Sequence, residues 1–562
     1  MPTTERRIRS PRGAAAVLVW LLLGTAGAAG CSPGAGAGHG AGSSRATGDA
    51  TSSPSASGSP GAGPADPASW AAAVRAENAR PGTPGWRIGS TAGKTKGLAG
   101  YADRVSVRPG EDAGLYVDSS RPVTVRAFRI GDYGGVGARL VWSGSLPADR
   151  QPGPKGRADN GPIPDIGGLR GAHVVVAPWH RSGGADTTGW PEGDYLIRLD
   201  AGPAARYVPL TVRSADARGR VLLVAGALTW QAYNKWGGGS LYDGDDDTFA
   251  SRSTAVSFDR PYDDGFGSGR FMQFDAPLVQ VAERANLPLA WVTDYDLALD
   301  PGLLDGAPAI VFGGHAEYWT APMRDGVTQA VARGTNLAVF GANTAYWRVR
   351  LGGRATALAA QPDRRDGRPR ILAGAKSVAL DPLAKSDPSG AMARFRDAPH
   401  ARPEEQLTGM RYDCFPAETS WTVTDPTWWG YEGTEVKAGE QFVGVVGPES
   451  DRVYPASTRP QPEEVVAYQT YSCGPGRRTA HTGVYWTAPS GAGVFAAGTM
   501  RWVCALEKGC TRVPGSRTAD VLTRVTTNVL TAFAEPKAGL AHPARDTVGG
   551  YWLPGRSTTH AS

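Results

Sequence analysis

Three short, unbroken apolar runs constrain this chain more than any other feature: Val221-Leu222-Leu223-Val224-Ala225, Ala309-Ile310-Val311-Phe312 and Leu337-Ala338-Val339-Phe340. A strand with one wet face alternates apolar with polar residues, so a strand apolar at every position must be covered on both faces. Helical spacing falls between such runs, at 278–285 ahead of a strand at Leu289–Thr293, and at 323–333 ahead of the run at Leu337. This alternation predicts a doubly wound, mainly parallel α/β sheet, and ligands of such sheets bind beyond the carboxyl ends of the strands. Polar residues gather at those ends: Gln231-Ala232-Tyr233-Asn234 after the first run, Gly313-Gly314-His315-Ala316-Glu317-Tyr318-Trp319 after the second, and Gly341-Ala342-Asn343 after the third. His315 and Glu317 are two apart, so an extended chain points both to the same side.

The rest of the chain reads differently. At 562 residues it is too long for a single core. Residues 101–213 hold short, partly alternating runs such as Val123-Thr124-Val125-Arg126-Ala127-Phe128 and Tyr195-Leu196-Ile197-Arg198-Leu199, separated by Gly, Pro and Asp. That pattern predicts an immunoglobulin-like β-sandwich over 71–217. The α/β region then spans 218–540, with a β-rich insertion at about 352–515, a helix at 519–533 and a tail at 541–562. The amino terminus carries Arg6, Arg7, Arg9 and Arg12, an apolar run at 14–23, and Ala28-Ala29-Gly30 before Cys31. This resembles a lipoprotein signal peptide (1–31) whose Cys31 becomes the acylated first residue, with a Gly/Ala/Ser/Pro tether over 32–70. The expected location is the outer face of the bacterial cell membrane, held by lipid, with the export route (Sec or Tat) open. Removing that signal takes away four arginines against Glu5 and lowers the formal net charge from +6 to +3. So small a surplus, with no basic face, argues against a nucleic-acid partner.

An oxidising destination makes the four remaining cysteines a disulfide set. Cys504 and Cys510 close a short loop, which favours that pair and leaves Cys414 with Cys473. No CxxC spacing points to zinc. No GxSxG or HExxH occurs, and no cysteine follows Gly314, so serine, zincin and cysteine chemistries lose support. A His-x-Glu beside tyrosines remains, and oxygen donors suit a hard, high-valent metal such as ferric iron. The run Asp243-Gly244-Asp245-Asp246-Asp247 lacks the sixth-place Gly and twelfth-place acid of a calcium loop and reads as solvated.

Six stretches taken together carry a resemblance: Glu77-Asn78-Ala79-Arg80-Pro81-Gly82-Thr83-Pro84-Gly85-Trp86, Phe128-Arg129-Ile130-Gly131-Asp132-Tyr133-Gly134-Gly135, Gln231-Ala232-Tyr233-Asn234, the 314–319 segment, Gly341-Ala342-Asn343, and Gly493-Val494-Phe495-Ala496-Ala497-Gly498-Thr499. Residues 76–535 resemble the large (beta) subunit of N,N-dimethylformamidase and its relatives. The resemblance implies a class I amidotransferase-like fold in which a mononuclear iron, held by two tyrosines and a glutamate, replaces the cysteine site. Carried over by motif, Tyr233 and Glu317 are ligands, Tyr242 in Ser240-Leu241-Tyr242-Asp243 is the second tyrosine, and His315 and Asn343 are catalytic neighbours. It also implies a carboxylate ahead of the Gly493-Val494-Phe495 strand, where Trp486-Thr487-Ala488-Pro489 has none. The expected activity is hydrolysis of a C–N amide bond, with a small amide or a surface polymer as substrate and a small subunit or a second copy as possible partner. The rival expectation is a non-catalytic surface lipoprotein binding a glycan or peptide, with Trp347 and Trp428-Trp429 as platforms.

Overall fold

A computed structural model describes residues 66–552, apart from 157–165, 170–172, 245, 354–366, 399, 456–457, 508–509, 511 and 514. The signal segment and Cys31 therefore lie outside the described residues, as does all but the end of the tether. No described helix is long and apolar enough to cross a membrane.

The apolar runs become neighbouring strands. Val221–Ala225 pairs in parallel with Leu289–Thr293 on one side and Ala309–Phe312 on the other. Ala309–Phe312 pairs with Asn336–Val339, and that strand with Gly493–Ala496, again in parallel. Arg478–Thr487 and Glu463–Ser472 add antiparallel strands at one edge, making a sheet of seven. Alternate residues of the first strand serve opposite faces. Val221, Leu223 and Ala225 pack with Leu278 and Val279 of the Ala276–Arg284 helix and share a core with Val525 and Val529 of Ser516–Phe533. Leu222 and Val224 share the other core with Met323 and Val327 of the Ala321–Arg333 helix. Both faces are dry, which is why the run shows no alternation.

In order of sequence the five parallel strands lie 2-1-3-4-5. The connection after the first strand runs to one side of the sheet and that after Ala309–Phe312 to the other, so a crevice opens between their carboxyl ends.

Residues 98–212 form two further sheets. Ser106–Val107, Ala204–Val212, Gly193–Ala201, Val123–Ile130 and Ala138–Leu146 make one of five strands, and Leu98–Ala102, Asp112–Ser119 and Gly183–Asp186 make one of three. Leu115 and Val117 of the smaller sheet share a core with Val125, Ile197, Leu199 and Leu210 of the larger. The alternating runs read from the sequence are strands here. Leu98–Ala102 and Gly183–Asp186 were not legible, because LAGYA and GGAD lack the β-branched residues that mark a strand. The described chain is thus a mixed α/β structure, rich in β.

Two of the stretches that carried the resemblance turn out to be structural. Arg129 and Glu283 form a buried ion pair at 2.6 Å between the five-stranded sheet and the Ala276–Arg284 helix. Tyr133 donates to Glu77, which also accepts from Arg139, and the Asn78 side-chain oxygen accepts from the backbone N–H groups of Asp132 and Tyr133. Removing one member would leave a buried charge unpaired, which costs about 3–5 kcal/mol.

Candidate functional site

The crevice beyond the first and third parallel strands gathers the polar residues that follow them. After Ala225 the chain turns at Gly226 into the short helix Ala227–Tyr233, anchored where the Leu228 N–H donates to Asp294. Tyr233 closes that helix. Gly237 and Gly238 both have positive φ, 78° and 100°, and reverse the chain in a way other residues resist. Arg260, buried beneath, donates to the carbonyls of Asn234, Trp236 and Gly239 and fixes this turn. Ser240 Oγ accepts from the N–H groups of Tyr242 and Asp243, and Tyr242 is delivered back beside Tyr233. The two rings stack with centroids 4.4 Å apart.

Glu317 arrives from the third strand. Thr229 of the short helix accepts the Glu317 N–H at 3.1 Å, which pins that turn to the first. Tyr233 Oη donates to Glu317 Oε2 at 2.7 Å, Tyr242 Oη donates to Glu317 Oε1 at 2.6 Å, and the two hydroxyls are 2.9 Å apart. Four oxygens from three side chains thus close on one another, despite the short link between the tyrosines. His315 lies on the same side as Glu317, its Nε2 3.4 Å from that carboxylate. Glycine permits this crowding: a Cβ on Gly341 would stand 2.5 Å from the Gly314 carbonyl oxygen.

A second carboxylate, unseen in the sequence, completes the cluster. Glu449 Oε2 lies 3.6 Å from His315 Nε2. It follows Gly447-Pro448 and belongs to the segment folded over the strand ends, not to the stretch ahead of Gly493 where the resemblance implied an acid. Two residues on, Asp451 accepts the Asn343 N–H at 2.9 and 3.1 Å and holds Asn343 at φ 56°, an unfavourable conformation for a side chain with a Cβ.

Burial dominates the electrostatics. It pushes the Tyr233 and Tyr242 hydroxyls well above the ordinary tyrosine value, with Glu317 adding to the effect. It also raises Glu317, opposed by Lys376, and raises Glu449 strongly, helped by Glu317. His315 is driven well below its usual range by burial and by Arg270, so the imidazole is neutral. Asp451 is raised to about 7 by burial. Both nitrogens of His315, one oxygen of Asn343 and one of Glu449 are buried with no hydrogen-bond partner among the described residues. Such a concentration of unpaired polar atoms is costly and marks a place built for a ligand.

These residues fit a hard metal ion. One carboxylate and two phenols are the donors such an ion prefers, and replacing the two hydrogen bonds to Glu317 by metal–oxygen bonds needs little movement. Among the described residues no three His, Cys, Asp or Glu side chains gather at ligand distance, so a metal here would need the tyrosines.

The other sites can now be placed. Cys414 is bonded to Cys473 and Cys504 to Cys510, as the spacing suggested. Trp428 is core, stacked on Phe495 and 2% exposed, so it offers no platform. Trp347 is half-buried and faces Lys376 at the rim of the cluster.

No curated protein matches the chain. The model of the family described as N,N-dimethylformamidase beta subunit-like, C-terminal, matches residues 124–512, a span that includes every residue of the cluster, and the chain belongs to that family.

Proposed function

We propose that this protein hydrolyses a C–N amide bond at a mononuclear ferric centre held by Tyr233, Tyr242 and Glu317. The family supports a dimethylformamidase-like hydrolase. The observation that carries the metal reading is the convergence of both tyrosine hydroxyls on the Glu317 carboxylate at 2.7 and 2.6 Å, with the hydroxyls 2.9 Å apart. When bound, the ion supplies Lewis acidity, polarising the amide carbonyl and making water a better nucleophile.

The remaining work falls to the chain. His315, neutral and lying between two carboxylates, accepts a proton from the attacking water and returns it to the departing amine. Glu449, whose Oε2 lies 3.6 Å from Nε2, orients the imidazole through that exchange. Asn343, held by Asp451, offers its amide to the oxygen on which charge develops. The overall change is amide plus water to carboxylic acid plus amine. In this proposal the α/β region is the amidotransferase-like catalytic domain, residues 71–217 are its immunoglobulin-like companion, and Cys31 tethers the whole to the outer face of the cell membrane.

The test is metal analysis of full-length protein purified without chelators, with release of amine from a panel of small amides. One iron per chain, a phenolate-to-metal absorption band and amine release support the reading. A metal-free protein that binds a glycan or peptide instead sinks it. Separately, Cys31→Ser should move the protein from the membrane fraction to the medium.

A further inference from the structure

The two tyrosines are the inner pair of a longer stack. The Arg270 guanidinium carbon lies 3.8 Å from the Tyr233 ring centroid, and Lys376 Nζ lies 3.1 Å from the Tyr242 ring centroid. The rings are 4.4 Å apart, which leaves no room for a cation between them, so each cation caps an outer face. The order is Arg270, Tyr233, Tyr242, Lys376. Among the described residues neither cation is committed to a strong ion pair; burial pulls the Lys376 ammonium well below the ordinary lysine value, and the charge of Glu317 opposes that pull. Among the described residues Lys376 Nζ has no hydrogen-bond partner, although it is only 9% exposed, and its backbone is held at φ 58°. The carboxylate of Asp264 lies 3.8 Å from Arg270 Nε and is largely exposed, too distant and too wet to neutralise it.

We infer that Arg270 and Lys376 are positioning residues for the two phenolic oxygens, cations that let stacked phenolates exist side by side and weaken their donation to the metal. The inference rests on the reading of Tyr233, Tyr242 and Glu317 as ligands. Two phenolates and Glu317 put three negative charges within hydrogen-bond distance of one another, and the cations offset the part of that repulsion the metal does not. Both phenolic protons leave to solvent as the metal enters. A positive charge on the outer ring face also holds electron density on the ring and away from the oxygen, so the ion remains a stronger Lewis acid.

The absorption band reads this directly. Light moves an electron from phenolate to metal, away from the capping cation, so removing the cation makes that transition cheaper. Arg270→Gln and Lys376→Met in the full-length protein should each shift the band to longer wavelength by roughly 10–20 nm, and the double variant by more than either. The charge-retaining variants Arg270→Lys and Lys376→Arg should restore it, which a purely structural role would not do. Iron content is measured on every sample. An unmoved band in iron-loaded neutral variants overturns the inference while leaving the metal centre standing. Wild-type protein without iron overturns both. Each cation is scored alone, so a variant that fails to fold leaves the other decisive.

Discussion

Two regions build the crevice, and they differ in how they hold their residues. Residues 226–347 are the turns at the ends of parallel strands, and they supply Tyr233, Tyr242, His315, Glu317 and Asn343. Residues 371–452 fold over those ends and supply Lys376, Glu449 and Asp451. In the first region His315, Glu317 and Asn343 are fixed by a buried strand a few residues away, and Tyr233 and Tyr242 by a short helix and a turn held by the buried Arg260. In the second, Glu449 is held by the pairing of Ser450–Arg452 with Arg411–Cys414, an interrupted two-stranded ladder. The strand ends therefore make a rigid binding floor, and the cover adds chemistry to it. In a division of this kind, changes to the floor should abolish binding of the ion, whereas changes to the cover should spare it.

The largest effect expected is at the floor. Glu317→Gln removes the carboxylate on which both tyrosines converge, and iron per chain, measured by mass spectrometry, should fall to background. The matching change in the cover, Glu449→Gln, should keep the iron and lower turnover by roughly 10²–10⁴-fold, the range of a lost proton-handling group. Loss of iron in Glu449→Gln would erase the distinction between the two regions.

The cover is stapled at Cys414–Cys473, a separation of 59 residues. Replacing both cysteines by serine should cost about 4 kcal/mol by loop entropy, read as a lower denaturation midpoint. If the cover is the less secure region, turnover should fail in denaturant before iron is released.

The smallest effect concerns His481, which meets the cover at Trp421 and whose Nε2 lies 3.0 Å from the Ala497 carbonyl oxygen. Burial lowers it to about 4, against 6.5 when unfolded. Between those values the unfolded chain binds the extra proton, so stability falls as pH drops from about 6.5 toward 4, by roughly 3 kcal/mol in all. His481→Gln should flatten that slope in thermal melts at pH 7, 6 and 5. An unchanged slope would show that the seam between cover and sheet is not where acid acts.

The same division explains what could be read without coordinates. Tyr233, His315, Glu317 and Asn343 were legible because an unbroken apolar run announces a buried parallel strand, and such strands put their next residues at the crevice. Glu449 and Lys376 follow no such run. Glu449 comes after a Gly-Pro turn and Lys376 after Gly374-Ala375, and only pairing distant in sequence brings them over the floor.

Tyr233 and Tyr242 are nine positions apart, whereas Glu317 is 84 positions beyond the first. Two of the three donors thus form a local pincer, already shaped by one glycine turn and one buried arginine. Assembly of the centre then needs a single long loop to close, and the entropy of that closure grows only as the logarithm of its length. A chain that tolerates insertions in the loops between Arg260 and Glu317 without losing its donors is the consequence. The pincer would travel as a unit, and the distance to its partner is a quantity evolution could change cheaply.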